Sequence, residues 1–205
     1  MKHLKLSLFL AGLVMISAAC SGAGESDSAS EKKEEAPAKN AIEAVDAAGE
    51  KADAEEAAGK ESFIANGKEW QLGFTDSQNG LFQEYVLAGE TVDNWSELIT
   101  VHRYSNPNEV PVQAYAAQFK NSLEQSVSGD LHFEVLKEDA HNLYYEFQLT
   151  GDSAHPDQYE TARIQSEGGE IWFLHYAIKT GGIDEGEKKA WQNILSTDDL
   201  KSWVK

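Results

Sequence analysis

The chain has 205 residues, with 35 acidic side chains against 17 basic ones and a net charge of −18 at pH 7. Such a balance repels nucleic-acid phosphates and anionic lipid surfaces alike, which excludes recognition of either by charge. A single cysteine, Cys20, rules out an internal disulfide, so the fold must be held by its apolar core.

The first element is a leader. Met1-Lys2-His3-Leu4-Lys5 is basic, and an apolar run follows from Leu6 to Ala18. That run is about thirteen residues, shorter than the roughly 20 needed to span a bilayer, and it ends in small residues. Residues 1–19 therefore read as a secretory signal peptide. Ser17-Ala18-Ala19-Cys20 closes it and resembles the bacterial lipobox. The resemblance implies that Cys20 becomes a lipidated N-terminus and that the membrane is a partner through this covalent lipid. Ser21 after the cysteine, in place of aspartate, implies the outer membrane of a Gram-negative bacterium, with the chain facing the periplasm. A plain secretory signal with an incidental cysteine is the alternative.

Residues 20–61 are rich in Ala, Glu, Ser, Lys and Gly and hold no aromatic side chain. They cannot bury enough apolar surface to offset chain entropy. They read as a flexible acidic tether with a root-mean-square span of about 35 Å. A partner-binding helix over Ala41–Ala58, where Ile42 and Val45 sit three apart, is the sharper alternative.

Residues 62–205 form one domain of ordinary size, with 23 acidic and 10 basic residues. Asn66-Gly67 and Asn79-Gly80 are hairpin signals between apolar runs. Trp70, Leu72 and Phe74 alternate as in a half-buried strand, and so do the residues of Phe82–Leu87 and of Leu98–Tyr104. The period then changes. Val112, Tyr115, Ala116, Phe119 and Leu123 recur at helical steps, which predicts an amphipathic helix from Pro111 to Val127. Strands return with Leu131, Phe133 and Val135, and again with Leu143, Tyr145, Phe147 and Leu149. Two more meet at Gly168-Gly169. Ile171–Ile178 is apolar at nearly every position and predicts a central strand covered on both faces. Ala190, Trp191, Ile194 and Leu195 form a last helical stripe, with Ser196 and Asp199 as candidate caps of a final turn.

The expected fold class is α+β: an antiparallel sheet, an amphipathic helix after the first strands and a C-terminal helix. Gly89-Glu90-Thr91-Val92-Asp93-Asn94-Trp95-Ser96-Glu97-Leu98-Ile99-Thr100-Val101, followed by a helix and a four-strand run, resembles bacterial proteins of the Mog1/PsbP-like group, which includes DcrB-type lipoproteins. The resemblance implies a sandwich used for accessory and protein-binding roles without a shared catalytic set. A cystatin/NTF2-like fold is the structural competitor.

Chemistry is sparse. Gly151-Asp152-Ser153 with Asp152-Ser153-Ala154-His155 resembles fragments of GDS-type esterases, but one aspartate would have to serve both motifs, and a serine nucleophile needs a separately placed base. No histidine pair has metal-ligand spacing. Neither catalytic, cofactor nor metal-binding residues are assigned, and no enzyme activity is expected. The candidate contact residues for a ligand or partner are His102, His175 and Arg163: the two histidines sit in predicted strands and could meet Arg163 or Glu146 across the sheet. The functional expectation is a lipid-anchored periplasmic module that binds another envelope protein. The alternative is a lipoprotein with a small-ligand pocket between sheet and helix.

Overall fold

Asn66 and Gly67 both adopt positive φ, 48° and 71°. They form the two-residue turn that the twist of an antiparallel hairpin favours, and they join β1 (Ser62–Ala65) to β2 (Lys68–Asp76). A computed structural model describes residues 62–180 and 182–204. The expected signal peptide, Cys20 and the expected tether over 20–61 lie outside the described residues.

The chain continues through β3 (Leu81–Leu87) and β4 (Glu97–Ser105) to α1 (Val112–Ser126). Next come β5 (Asp130–Glu138), β6 (Asn142–Thr150), β7 (Gln158–Glu167) and β8 (Glu170–Ile178). Helix α2 (Glu185–Thr197) and a 3₁₀ turn, Leu200–Trp203, close the domain. The eight strands form one sheet in the order β1-β2-β3-β4-β8-β7-β6-β5, antiparallel throughout. Two four-stranded meanders thus meet where β4 pairs with β8.

The expected α+β sandwich of the Mog1/PsbP-like type, with a helix after the first strands and another at the C-terminus, is corrected by this architecture. Among the described residues the body of the fold is a single continuous antiparallel sheet, with two α-helices of 15 and 13 residues and one 3₁₀ turn. The physical reason is the β4–β8 pairing. It merges both meanders into one eight-stranded surface in which the helices are local covers.

Alternation of side chains gives the sheet two apolar faces. On one face, Trp70, Tyr85, Ile99, Val101, Trp172, Leu174 and Tyr176 pack under Trp191 and Leu195 of α2 and under Leu200 and Trp203. On the other, Val112, Tyr115, Ala116 and Leu123 of α1 pack on β6, β7 and β8 through Leu143, Tyr145, Phe147, Ile164 and Phe173. Strand β8 is buried on both sides, as its uninterrupted apolar run predicts. Asp184 caps α2 by accepting from the backbone N–H groups of Gly186 and Glu187, and Glu185 and Glu187 favour the positive end of the helix dipole.

Candidate functional site

The α1 face carries a polar strip across its aromatic floor. Strand register aligns Glu84 with Thr100, Thr100 with His175, His175 with Ala162, and Ala162 with Tyr145. His102 lies diagonally beside this row, opposite Phe82 and Phe173. His175 Nδ1 is 2.8 Å from Glu160 Oε1 and 3.0 Å from the Tyr145 hydroxyl, which itself donates to Glu160 Oε1 at 3.2 Å. His102 Nδ1 is 2.6 Å from the Tyr104 hydroxyl, while its Nε2 is buried with no partner among the described residues. The two imidazole rings are 5.8 Å apart. Each histidine is 3% exposed.

Burial, and then the proximity of His175, hold the His102 imidazole well below its ordinary range. Burial, and then Glu160, push the Tyr145 phenol well above its own. Glu84 is 5% exposed and has no hydrogen-bond or ion-pair partner among the described residues. Burial alone raises its carboxyl to about 7.

His102 and His175 lie together on this face, but Arg163, which they were expected to meet, is not with them. Ala162 is the residue opposite His175, so Arg163 points to the other face. There its guanidinium donates to the Leu195 and Asp198 carbonyls at the C-terminal end of α2 and to Asn142 Oδ1. Glu146 is on that face too, accepting from Lys188 Nζ at 2.7 Å, from the Tyr159 hydroxyl at 2.8 Å and from Gln192. Lys68 Nζ bridges Glu97 and Glu187, and the Tyr176 hydroxyl reaches both carboxylates. These charged links seat α2 on the sheet.

Two clefts flank α2. One, of about 360 Å³, opens beside β1 and is lined by Phe63, Ile64, Ala65, Ile194, Asp198 and Trp203, among others. The other, of about 180 Å³, lies between α2 and the β5–β7 end of the sheet, with Leu136, Lys137, Tyr144 and Gln192 in its walls. The exposed large hydrophobics among the described residues are Ile64, Val135 and Leu136, at 69%, 45% and 39% exposure. All three stand on the two edge strands, β1 and β5. The sequence pattern missed Glu84 and Glu160. A charged residue at an inward strand position, as in Phe82-x-Glu84-x-Val86, was the available signal.

Asp152 and His155 form a brace. Asp152 Oδ2 accepts from the backbone N–H groups of Ser128 and Gly129 and from the Ser128 hydroxyl. Its Oδ1 accepts from the N–H groups of Ala154 and His155 and lies 2.7 Å from His155 Nδ1. The bond from Ser128 first, then those from Ala154 and His155, hold the carboxyl well below its ordinary 3.8. The folded state thus favours the carboxylate. That stability is present above the unfolded pKa and is lost as acid protonates the folded group. Asp152→Asn is expected to lower the melting temperature at pH 7 and to flatten its fall on acidification, whereas Ser153→Ala leaves both unchanged. Equal acid profiles for wild type and Asp152→Asn would contradict this role.

Among the described residues, no group of three His, Cys, Asp or Glu is placed to hold a metal ion, and no helix is long and apolar enough to cross a membrane. A protein-family model matches residues 59–197. No curated protein matches the chain. A solved structure of the Pseudomonas aeruginosa protein PA94, a candidate regulator of unknown function, is 12% identical with a TM-score of 0.44. It covers 68% of this chain and 95% of its own.

Proposed function

We propose, for a chain that belongs to the family matched over residues 59–197, a role as an accessory module of the bacterial cell envelope that binds another envelope protein. A lipid on Cys20 holds it at the outer membrane, and residues 20–61 let the domain range into the periplasm. The observation that carries the binding role is that, among the described residues, the exposed large hydrophobics stand on the sheet edges, Ile64 on β1 and Val135 and Leu136 on β5. Apolar side chains beside an open strand edge suit a protein partner. The small-ligand alternative rests on the cleft between α2 and the sheet. Its 180 Å³ falls below the roughly 300–1,000 Å³ of ordinary ligand pockets, and the 360 Å³ cleft beside β1 stands only at the bottom of that range and has one charged lining residue, Asp198, so the protein-binding reading is preferred.

Cys20→Ser is expected to move the protein from the membrane fraction to the soluble fraction, or to leave the leader uncleaved. Mature wild-type protein that begins at Cys20 without acyl mass would overturn the anchor. In-cell crosslinking from a panel of surface positions tests the binding role, which falls if no position yields a reproducible partner.

A further inference from the structure

We infer that the β1 edge and the cleft beneath it receive an extended segment of the partner as an added strand, and that this segment is apolar at alternate positions and basic at its flanks. The inference rests on the protein-binding role and names its surface.

The two sheet edges differ in kind. Strand β5 carries Asp130, His132, Glu134, Lys137 and Glu138 and is interrupted by a bulge between Val135 and Lys137. Charges and bulges are the devices by which edges resist pairing. Strand β1 reads Ser62-Phe63-Ile64-Ala65, with no charge, no proline and no register break. It is short, and the cleft beneath it adds contact that the backbone alone would lack.

The hairpin sets which groups face outward. A two-residue turn at Asn66-Gly67 makes Ala65 and Lys68 the hydrogen-bonded pair that closes it. The next pair, Ile64 with Glu69, is then the non-bonded kind, so the Ile64 amide and carbonyl point along the open edge. Phe63 and Ala65 pack on the α2 face, where the 360 Å³ cleft runs under Ile194 and Trp203. The Ile64 side chain alternates to the opposite face. A strand laid along β1 would send one set of side chains into the cleft and the other beside Ile64.

Charge selects the occupant. Asp198 lines the cleft and Glu69 stands opposite Ile64, on a chain of net charge −18. A second copy brings the same charge, which opposes association. Residues 20–61 hold only Ile42 and Val45 as β-branched side chains, a composition poor in strand formers. A segment from a basic-flanked partner answers both constraints.

The probe is a short peptide of alternating valine and threonine flanked by lysines, added to the full lipidated chain in detergent micelles. Its counterpart is flanked by glutamates. Amide hydrogen exchange is read residue by residue. The lysine peptide is expected to slow exchange at Ile64, the glutamate peptide to do so weakly or not at all, and Ile64→Lys to abolish the protection. Ile64 is exposed, so this variant keeps the wild-type melting temperature, and Leu136→Lys keeps wild-type protection. The inference is overturned by protection at β5 in place of β1, by no protection, or by protection that survives Ile64→Lys. It is also overturned if Ile64 is already protected without peptide, in dimers or by residues 20–61. If in-cell crosslinks form from other surface positions but not from Ile64, the binding role stands and this surface is wrong.

Discussion

Replacing Tyr176 by alanine is expected to cost about 3–5 kcal/mol of folding stability, the usual range for an aromatic side chain lost from a core. Tyr176 is fully buried at the centre of β8. Its ring stacks on Trp191 of α2 at 4.0 Å between centroids and 13° between planes, and Trp70 meets it edge-on at 6.4 Å. Removing the ring leaves a cavity between sheet and helix. It also strips a donor from Glu97 and Glu187, which then rely on Lys68. A domain has roughly 5–15 kcal/mol in total, so the variant should unfold at a much lower denaturant midpoint. Tyr176→Phe keeps the stack and loses only the hydroxyl, at about 1.5–3 kcal/mol for a bond to a charged acceptor. Equal midpoints for wild type and Tyr176→Ala would remove the basis for placing β8 at the centre of the sheet.

Glu84→Gln is expected to act in the opposite direction. Burial raises the Glu84 carboxyl from its ordinary 4.5 to about 7, so the folded state holds this proton more tightly than the unfolded state. Below the unfolded pKa both states are protonated and the site costs nothing. As pH rises toward the folded pKa, the unfolded chain ionises freely while the native one resists, and stability falls. The loss is complete above about pH 7 and amounts to about 3 kcal/mol, from 1.36 kcal/mol per unit. Glutamine mimics the protonated carboxyl at every pH. The variant should therefore match wild type near pH 4 and exceed it by that amount at pH 8, measured by urea denaturation across the range. A gain that does not change with pH, or a loss at pH 8, would show that Glu84 has a stabilising partner when ionised.

Local chemistry was legible in the sequence, and distant pairing was not. The Asn66-Gly67 turn, the helical spacing of Val112 to Leu123 and the apolar run of β8 depend on neighbours within a few residues, and each is seen in the structure. Asn79-Gly80 shows the limit of that reasoning. Asp76 accepts from the Gln78 N–H and ends β2 early, so residues 77–80 become a loop and only Gly80 takes positive φ, at 127°. A Cβ at Gly80 would lie 2.3 Å from the Arg103 carbonyl, a tertiary constraint with no local signature. The candidate site divides the same way. That His102 and His175 are strand residues follows from alternation, but the face that Arg163 shares with neither depends on the register of Ala162 against His175. The pairing of β4 with β8 joins segments separated by the whole of the second meander, and no local pattern specifies it.

The placement of the two helices has a consequence for the order in which the chain is made. The helices cover strands distant in the sequence: α1 follows β4 but covers β6 to β8, and α2, seated on β7 and β8, also covers apolar side chains of β2, β3 and β4. During synthesis the first meander would emerge with Trp70, Tyr85, Ile99 and Val101 bare, and their cover, from Trp191 to Trp203, follows about ninety residues after Val101. A nascent chain stopped short of Trp191 would present an unsealed apolar sheet. Long-range pairing of this kind also forms late and slowly. The first meander thus lacks the apolar cover of its α2 face until Trp191 and Trp203 have emerged.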